Sequence, residues 1–327
     1  MRSALIGRPA QEKLDEFLGR NILDISGLGR EDIEIIMETA AYYDQALAGK
    51  QRLYDMDGKI MASLFLEPST RTRLSFEAAM ERLGGKVISL SETPALPLTY
   101  IAKGETLHDS IKVVSSYCDI IVCRSLEDGA RQEIDSASTV PYINAGDGSG
   151  QHPSQALQDI YTIFKEKGGI DGFTYAICGD LKYGRAPHSF LNALTKFRPK
   201  RIILASPQDL RMPEEYTKAA IDCGIQVEEC YELTAAVEKA DVIYMTTIEQ
   251  ERYSTKDEYE RKKELFVLSG ELLPKLRNGA VILDPLPRVN EISKEIDDYP
   301  GAAYFRQAGN GVPVRMALLA LLTGSVR

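Results

Sequence analysis

Five polar residues follow one another at a turn between a predicted buried strand and a predicted amphipathic helix. They are Ser69-Thr70-Arg71-Thr72-Arg73, and they come after the apolar run 61–66. The first N–H groups of a helix and its positive dipole end attract anions, and hydroxyl and guanidinium groups add donors beside them. The turn therefore predicts a phosphate-binding cradle without a Walker lysine or a glycine-rich loop. A polar helix cap with solvated arginines is the simpler alternative.

Other candidate residues stand where further predicted strands end. Arg124 closes the predicted strand 119–124, and the glycine-rich, flexible segment 146–155 carries His152 and Gln155 to the start of a helix. The carboxyl ends of parallel strands share one edge of a sheet, where ligands of open α/β sheets bind. We therefore expect these side chains beside the phosphate-binding turn. Arg124 as a surface arginine and His152 as a structural hydrogen-bonding residue are the alternatives.

The second half of the chain offers candidates for binding an amino acid. After the apolar run 173–178, the segment 179–185 resembles the first turn of a Rossmann unit, but its glycines do not match G-x-G-x-x-G. A dinucleotide is therefore disfavoured, and Arg185 suits a carboxylate instead. Near the end, the double-proline segment 284–288 exposes backbone carbonyls, since proline cannot bury them in a helix. Three more candidates follow the predicted strand 241–245 and are expected to face the same cleft: Thr247, Glu249 and Arg252.

Strand-like and helix-like patterns alternate along the chain, which favours an α/β fold with parallel sheets. Short apolar runs bounded by turn residues are typical of buried strands. The predicted strands of the first sheet are 61–66, 86–90, 119–124 and 140–144, and those of the second are 173–178, 201–205, 225–229, 241–245 and 280–284. The expected fold class is α/β with two domains, each a parallel sheet flanked by helices.

The length of the chain and the grouping of its strands predict two domains. The first is expected over 1–148 and the second over 149–304, and a helix over 305–327 is expected to return to the first domain. The boundary falls in the short stretch 146–151, because no long linker is present. An active-site cleft between the two domains is the expected place for a ligand.

The composition narrows the classes of partner. Lys and Arg number 39 against 48 Asp and Glu, which gives a formal net charge of −9. Nucleic acids and anionic membrane surfaces are bound through clustered cations, so neither partner is expected. No apolar run approaches the roughly 18 to 20 residues that span a bilayer, and no signal peptide is recognised, so the expected location is cytoplasmic.

The cysteines and histidines argue against a disulfide framework and against a metal site. Five cysteines without a C-x-x-C pair suit free thiols in a reducing compartment, and three histidines leave little room for metal ligands. No metal and no cofactor are therefore expected.

The candidate motifs occur together in an order that resembles one family. They are Ser69 to Arg73, Lys103 to Thr106, Arg124, His152-Pro153-x-Gln155, Asp180 to Arg185 and Pro285 to Arg288. Their order and approximate spacing are similar to those of the catalytic chains of aspartate carbamoyltransferases, within the aspartate/ornithine carbamoyltransferase family. The resemblance covers nearly the whole chain, including 307–311.

The resemblance implies transfer of a carbamoyl group from carbamoyl phosphate to the amino group of an amino acid, with release of phosphate and without a cofactor. The residues that it implies for the phosphate are Ser69, Thr70, Arg71 and Thr72, joined by Lys103 from a neighbouring subunit. At the carbonyl of the carbamoyl group it implies Thr72, Arg124 and His152. At the carbamoyl nitrogen it implies Gln155 and the Pro285–Leu286 segment, which acts through the Leu286 carbonyl.

The resemblance also implies how the acceptor is bound and how the subunits assemble. Arg185 would bind the α-carboxylate of the acceptor, and Glu67 would pair with Arg185 and Arg252 to stabilise the closed domains. The lysine shared between subunits implies a homotrimer with active sites at the subunit interfaces. A larger assembly stays open.

Three positions depart from the family pattern, and all lie in the predicted acceptor pocket. Thr247 stands where the pattern has an arginine, Glu249 where it has a glutamine, and Asp284 where it has a histidine. Each change removes positive charge or adds negative charge, so a second carboxylate on the acceptor would be repelled. We therefore expect an acceptor other than aspartate, with a cationic or neutral tail, such as a short diamino acid.

Three alternatives stay open. The chain is a genuine aspartate carbamoyltransferase of pyrimidine biosynthesis if Lys182, Arg288 or another cation supplies the missing contact. A non-catalytic paralogue, retained as a structural partner in a pyrimidine-pathway assembly, is expected to lose donor-site residues first, and Ser69 to Arg73 are intact here. A Rossmann-type oxidoreductase is disfavoured by the missing glycine fingerprint.

Overall fold

The computed structural model describes residues 11–91, 104–148, 150–248 and 266–326. The chain divides into two compact units, one of Met1–Tyr161 with Asn310–Arg327 and the other of Thr162–Gly309. Each unit contains one parallel sheet flanked by helices. The predicted fold class, two α/β domains with parallel sheets, is confirmed.

The first unit is built on four strands: β1 (Ile60–Phe65), β2 (Lys86–Ser91), β3 (Ile120–Ser125) and β4 (Tyr142–Asp147). All neighbouring strands are parallel, in the order β2-β1-β3-β4. Strands β1, β3 and β4 are buried, as their apolar runs predict, whereas the edge strand β2 is largely exposed. The helices are α1 (Gln11–Asp15), α2 (Arg30–Ala48), α3 (Thr70–Arg82), α4 (Leu107–Ser115), α5 (Ala130–Ala137) and the first part of α6 (Pro153–Lys167).

The second unit is built on five strands: β5 (Thr174–Cys178), β6 (Arg201–Ala205), β7 (Val227–Cys230), β8 (Val242–Met245) and β9 (Val281–Leu283). They are again all parallel, in the order β7-β6-β5-β8-β9. The helices are α7 (Arg185–Leu194), α8 (Glu214–Asp222), α9 (Leu233–Val237) and the start of α10 (Tyr304–Leu322), and the short 3₁₀ turns are Gln208–Leu210, Gly270–Lys275 and Lys294–Asp298.

The strand order of each sheet determines where a ligand can bind. In the first sheet β1 lies between β2 and β3, and in the second β5 lies between β6 and β8. At such a point the loops after two adjacent strands leave in opposite directions and open a crevice at the carboxyl ends of the strands. A binding site is therefore expected after β1 and β3 in the first unit, and after β5 and β8 in the second.

Asp147, near the start of the segment 146–155 that is predicted as a flexible loop, is held by several contacts in the structure. Strand β4 continues through Asp147, whose buried carboxylate pairs with Arg131. The same carboxylate accepts hydrogen bonds from the Asn144 amide at 3.1 Å and from the backbone N–H of Gln151 at 3.0 Å. The contacts divide the chain within α6 and α10, so the domain limits at 148 and 304 stay a prediction.

The cysteines are all free thiols, as their spacing predicts. Burial raises the pKa of the Cys118 thiol to about 11 and that of the Cys123 thiol to about 12. The reactive thiolate form is therefore disfavoured at these two positions. Among the described residues, no helix is long and apolar enough to cross a membrane.

The C-terminal part of α10 carries a buried cation into the first unit. The Arg315 side chain is 2% exposed, and its Nη1 donates a hydrogen bond to Gln158 Oε1 at 2.8 Å. Its guanidinium lies 5.1 Å from the centre of the Phe76 ring. Burial lowers the pKa of Arg315 to about 10, against an opposite effect of Asp159. The contacts of Arg315 therefore decide whether the buried charge is tolerated.

Gly311 and Gly309 provide a matched test of this packing. A Cβ atom at Gly311 would collide with Arg315 Nη1 and Gln158 Oε1, whereas one at Gly309 in the same helix has no neighbour within 4 Å. We expect Gly311→Ala to lower the free energy of unfolding by about 1–3 kcal/mol, the range for overpacking. Gly309→Ala should be neutral or should add up to about 1 kcal/mol, because alanine favours helices.

Urea unfolding followed by circular dichroism measures both effects. Equal unfolding midpoints for the two variants would show that the Arg315–Gln158 contact does not limit the packing at Gly311.

Candidate active site

The turn between β1 and α3 is attached to the end of β3. The backbone N–H groups of Leu66 and Glu67 donate to the Arg124 carbonyl, at 2.8 and 3.3 Å. The Arg124 side chain returns to the same turn, because its Nη2 donates to Glu67 Oε1 at 2.7 Å. Both side chains of this ion pair are mostly buried. The predicted proximity of Arg124 to the turn is therefore present in the structure.

The first turn of α3 has the form of an anion-binding helix start. Ser69 is the N-cap in an extended conformation, and its hydroxyl makes no capping hydrogen bond. The first turn contains no acidic residue. Thr70 and Arg71 are exposed, and Thr72 points into the unit. The N-terminal N–H groups and the Ser69 hydroxyl are therefore suited to an external acceptor such as a phosphate oxygen.

Thr72 and His152 meet at the bottom of this site. Both side chains are buried, and Thr72 Oγ1 lies 3.5 Å from His152 Nε2. Which of the two donates depends on the tautomer of the imidazole. The contact joins the start of α3 to the loop after β4, so β1, β3 and β4 all contribute side chains at one edge of the sheet.

Gln155 lies in the first turn of α6, and its side chain is buried. Its Nε2 donates to Asp159 Oδ1 at 2.7 Å, one helical turn further along. This bond uses an amide N–H group and orients the side chain, so the amide oxygen is turned to the opposite side as an acceptor. An acceptor at this place suits the nitrogen of a carbamoyl group.

Arg73 forms an ion pair with Glu77 in the same helix, although the sequence motif places it close to Arg71. Arg73 Nε donates to Glu77 Oε1 at 3.1 Å, and the hydroxyls of Ser63 and Ser89 donate to the same oxygen at 3.0 and 2.7 Å. This network connects α3 to β1 and β2. The i, i+4 spacing of Arg73 and Glu77 is the sequence signal that indicates it.

The turn after β5 approaches the end of β8 closely. Gly179 has φ +115°, and a Cβ atom there would collide with the Thr246 carbonyl. Asp180 Oδ1 then accepts the N–H groups of Lys182 and Tyr183, each at 3.0 Å. Glycine is needed both for the backbone angle and for the close approach. The turn is thereby shaped so that α7 begins at Arg185.

His188 supports the same turn, and sequence reasoning did not identify it. Its Nε2 lies 2.9 Å from the Leu181 carbonyl, and its ring stacks on Tyr216 with 4.2 Å between the ring centres. The histidine is buried within α7. The sequence carries no signal for this role, because Tyr216 belongs to the separate helix α8.

Thr247, which is predicted to replace an arginine of the family pattern, follows β8. Its Oγ1 donates a hydrogen bond to the Pro287 carbonyl at 3.2 Å, which links the loops after β8 and β9. The Thr247 side chain therefore presents a hydroxyl that is bonded to the backbone, whereas an arginine would present a cation.

Asp284 lies buried at the start of the loop after β9. Its side chain is buried, and Oδ1 accepts the N–H of Leu286 at 2.6 Å. Burial and the neighbouring Glu291 raise its pKa well above the usual value for aspartate. A raised pKa disfavours the charged form of the side chain, so the expectation that Asp284 adds negative charge to the pocket stays a prediction.

The two cations proposed as substitutes for the missing arginine are both engaged in the structure. Arg288 forms an ion pair with Asp297, which raises the pKa of Arg288, and it lies over the Tyr304 ring at 5.4 Å. The Lys182 ammonium lies 5.0 Å from the centre of the Tyr183 ring. Either residue would have to exchange these contacts for a contact with substrate.

Several predicted site residues lie outside the described part of the chain. They are Lys103, Glu249 and Arg252. The ion pair that the structure gives Glu67 is with Arg124, so its pairing with Arg185 and Arg252 stays a prediction. The Pro285–Leu286 segment is partly exposed on the loop after β9.

Two family models match the chain, one in each half. The aspartate/ornithine carbamoyltransferase carbamoyl-P binding domain matches residues 20–165, and the Asp/Orn binding domain of the same family matches residues 171–322. The chain belongs to the aspartate/ornithine carbamoyltransferase family. The resemblance drawn from the motifs is confirmed at this level, together with the expectation of a carbamoyltransferase.

Aspartate carbamoyltransferase catalytic subunits of other organisms are similar to this chain over most of their length. The aspartate carbamoyltransferase catalytic subunit of Leptospira biflexa is 46% identical over 305 residues, which cover 93% of this chain and 97% of the relative. The catalytic subunit of Thermococcus kodakarensis is 45% identical over 309 residues, which cover 94% and 98%.

Solved structures agree with the sequence comparison. Aspartate transcarbamoylase from Trypanosoma cruzi, in complex with carbamoyl phosphate and aspartate, has a TM-score of 0.88 at 34% identity, covering 94% of this chain and 96% of that one. The catalytic subunit of the M. jannaschii enzyme has a TM-score of 0.85 at 42% identity, covering 94% and 98%.

Arg71 and Arg73 allow a direct test of the phosphate-binding turn. Inorganic phosphate should raise the thermal midpoint of the wild-type protein, because a ligand that binds the folded state stabilises it. Arg71→Ala should weaken the phosphate affinity about 10- to 100-fold, the equivalent of one charged hydrogen bond. Arg73→Ala is the control and should stay within about threefold, because its guanidinium bonds to Glu77.

Thermal midpoints measured over a series of phosphate concentrations give the three affinities. The assignment of Arg71 fails if Arg71→Ala keeps the wild-type affinity, or if both variants lose it equally.

Proposed function

We propose that the protein transfers the carbamoyl group of carbamoyl phosphate to the amino group of an amino acid, most readily aspartate, and releases phosphate. The observation that carries the proposal is the meeting of Thr72, His152 and the Arg124–Glu67 pair beside the start of α3. The names of the relatives support aspartate as the acceptor. A similar structure with carbamoyl phosphate and aspartate bound supports it further.

The start of α3 binds the phosphate of the donor. Ser69 and Thr70 supply hydroxyl donors, Arg71 supplies a guanidinium, and the helix start supplies backbone N–H groups. Lys103 of a neighbouring subunit adds a second cation to the same phosphate. These charges also stabilise the leaving phosphate as the bond to carbon breaks.

Thr72, Arg124 and His152 polarise the carbamoyl carbonyl. Attack by the amine places negative charge on this oxygen, and donors held in position beforehand stabilise that charge. Glu67 orients the Arg124 guanidinium through the bond at 2.7 Å. The contact between Thr72 and His152 keeps the two side chains together.

The remaining groups position the carbamoyl nitrogen and the acceptor. The Gln155 amide oxygen and the Leu286 carbonyl accept from the carbamoyl NH₂ group, and Arg185 binds the α-carboxylate of the amino acid. A C–N bond forms as the C–O bond to phosphate breaks, and the departing phosphate takes the proton that the amine loses. This chemistry needs no covalent enzyme intermediate.

The assembly and the location belong to the same proposal. The active form is a homotrimer in the cytoplasm, in which Lys103 completes the site of a neighbouring subunit. Glu67, Arg185 and Arg252 stabilise the closed form.

One observation favours a second class of acceptor, with a neutral or cationic tail. Thr247 offers a hydroxyl bonded to the Pro287 carbonyl where the family pattern has an arginine, and Arg288 is held by Asp297. Glu249 adds an acid in the same segment of sequence. Burial and Glu291 raise the pKa of Asp284, which weakens one of the three reasons for excluding aspartate.

Turnover with a panel of acceptors decides between the two classes. Phosphate release from carbamoyl phosphate is measured with aspartate, 2,3-diaminopropionate and ornithine at equal concentrations. We expect the highest kcat/KM with aspartate. A higher value for either diamino acid would replace aspartate with the second class, and no turnover with any acceptor would contradict carbamoyl transfer.

The double variant Thr247→Arg/Glu249→Gln tests the place of the side-chain pocket. It restores the residue types of the family pattern, and a guanidinium beside a carboxylate forms a strong paired hydrogen bond. We expect kcat/KM for aspartate to rise about tenfold or more. Thr247→Val, which removes the hydroxyl without adding a charge, is the control and should give no rise. An unchanged value in the double variant contradicts the pocket assignment.

A further inference from the structure

Gln155 and Asp159 are neighbours on one buried face of α6. They are four residues apart, a spacing that places two side chains of a helix side by side. Asp159 is 0% exposed and Gln155 is 6% exposed. Gln155 Nε2 donates to Asp159 Oδ1 at 2.7 Å, the length of a strong hydrogen bond to a charged group. The orientation of the Gln155 amide therefore depends on Asp159.

The two ends of the Gln155 amide have nearly the same shape and opposite hydrogen-bonding roles. The NH₂ end only donates, and the oxygen only accepts. An ionised carboxylate can only accept, so Asp159 binds the NH₂ end and leaves the oxygen on the other side. An asparagine, which has the same size, would bind either end. The charge of Asp159, and not its shape, thus decides which end of the amide a ligand meets.

A buried cation lies beside the same turn of α6 and favours the ionised form of Asp159. Arg315 of α10 is 2% exposed, and its Nη1 donates to Oε1 of Gln158, the residue before Asp159, at 2.8 Å. Burial lowers the pKa of Arg315, and the charge of Asp159 opposes this effect. The attraction is mutual, because a cation that is stabilised by a carboxylate also stabilises that carboxylate. Helix α10 thereby supplies a counter-charge for Asp159.

We propose that Asp159 is a positioning residue that turns the Gln155 amide oxygen towards the NH₂ group of carbamoyl phosphate. The identity of this ligand rests on the proposed function, whereas the orientation of the amide is a property of α6 itself. Asp159 acts through Gln155 and touches no substrate atom. The amide oxygen attracts an NH₂ group and gains nothing from a methyl group. Asp159 therefore also determines the preference for carbamoyl phosphate over acetyl phosphate, which has a methyl group in place of the NH₂ group.

Four variants separate the orientation of the amide from the packing of the helix. Asp159→Asn keeps the size of the side chain and removes its charge. Gln155→Glu places a second carboxyl group against Asp159. The double variant Gln155→Glu/Asp159→Asn exchanges the two groups, so the net charge is kept and an oxygen again faces the ligand. Asp57→Asn makes the same chemical change at an exposed position of the same unit and is the control.

Isothermal titration with carbamoyl phosphate and with acetyl phosphate measures the preference. We expect Asp159→Asn to weaken the affinity for carbamoyl phosphate about tenfold or more and to leave that for acetyl phosphate within about threefold. The double variant should recover most of the lost affinity for carbamoyl phosphate, and Asp57→Asn should match the wild type. The proposal is overturned if Asp159→Asn loses both ligands equally or loses neither, or if the double variant recovers nothing.

The thermal midpoint tests the orientation without any ligand. Near neutral pH, Gln155→Glu sets two carboxyl groups against each other, so its midpoint should fall below that of the wild type. Adding Asp159→Asn to this variant should raise the midpoint again, although Asp159→Asn alone should not raise that of the wild type. A Gln155→Glu variant as stable as the wild type would overturn the proposal. This result stands even if the wild type does not bind carbamoyl phosphate, which would contradict only the proposed function.

Discussion

The residues proposed to bind carbamoyl phosphate, here called the donor half, depend on one connection, between the turn after β1 and the end of β3. Two backbone N–H groups of the turn bind the Arg124 carbonyl, and the Arg124 side chain binds Glu67 of the same turn. These three bonds hold the start of α3 beside the Arg124 guanidinium. The contact of Thr72 with His152 adds the loop after β4 to the same group of residues. Without the connection, the hydroxyls and the guanidinium would have no common point on which to act.

The corresponding edge of the second unit is built on a different principle. Two acids there bind backbone N–H groups of their own loops: Asp180 binds two N–H groups after β5, and Asp284 binds the Leu286 N–H after β9. Thr246 after β8 instead donates to the Cys178 carbonyl at the end of β5, at 3.0 Å. Asp180 and Asp284 thereby give N–H groups of their loops a hydrogen-bond partner. The loops are thereby shaped before any amino acid binds, and α7 begins with Arg185 in a defined position.

The sequence predicts the two parallel sheets and the proximity of Arg124 and His152 to the turn after β1, because both follow from local patterns. Apolar runs indicate the strands, and parallel strands bring Ser69, Arg124 and His152 to one edge whatever the details of packing. The sequence-based prediction is incomplete where the answer depends on burial. Asp284 is acidic by type, but burial and Glu291 raise its pKa, and this environment forms only in the folded chain. Asp147 likewise extends β4 through an ion pair with Arg131 that strand patterns do not contain.

The proposed function requires that the protein binds carbamoyl phosphate when no acceptor is present. Isothermal titration of the wild-type protein with carbamoyl phosphate, in the absence of any amino acid, measures this binding. We predict saturable binding that inorganic phosphate displaces, because both ligands are proposed to bind at the start of α3. An absence of binding heat at every temperature tried, with the protein folded, would contradict the claim and favour a non-catalytic paralogue.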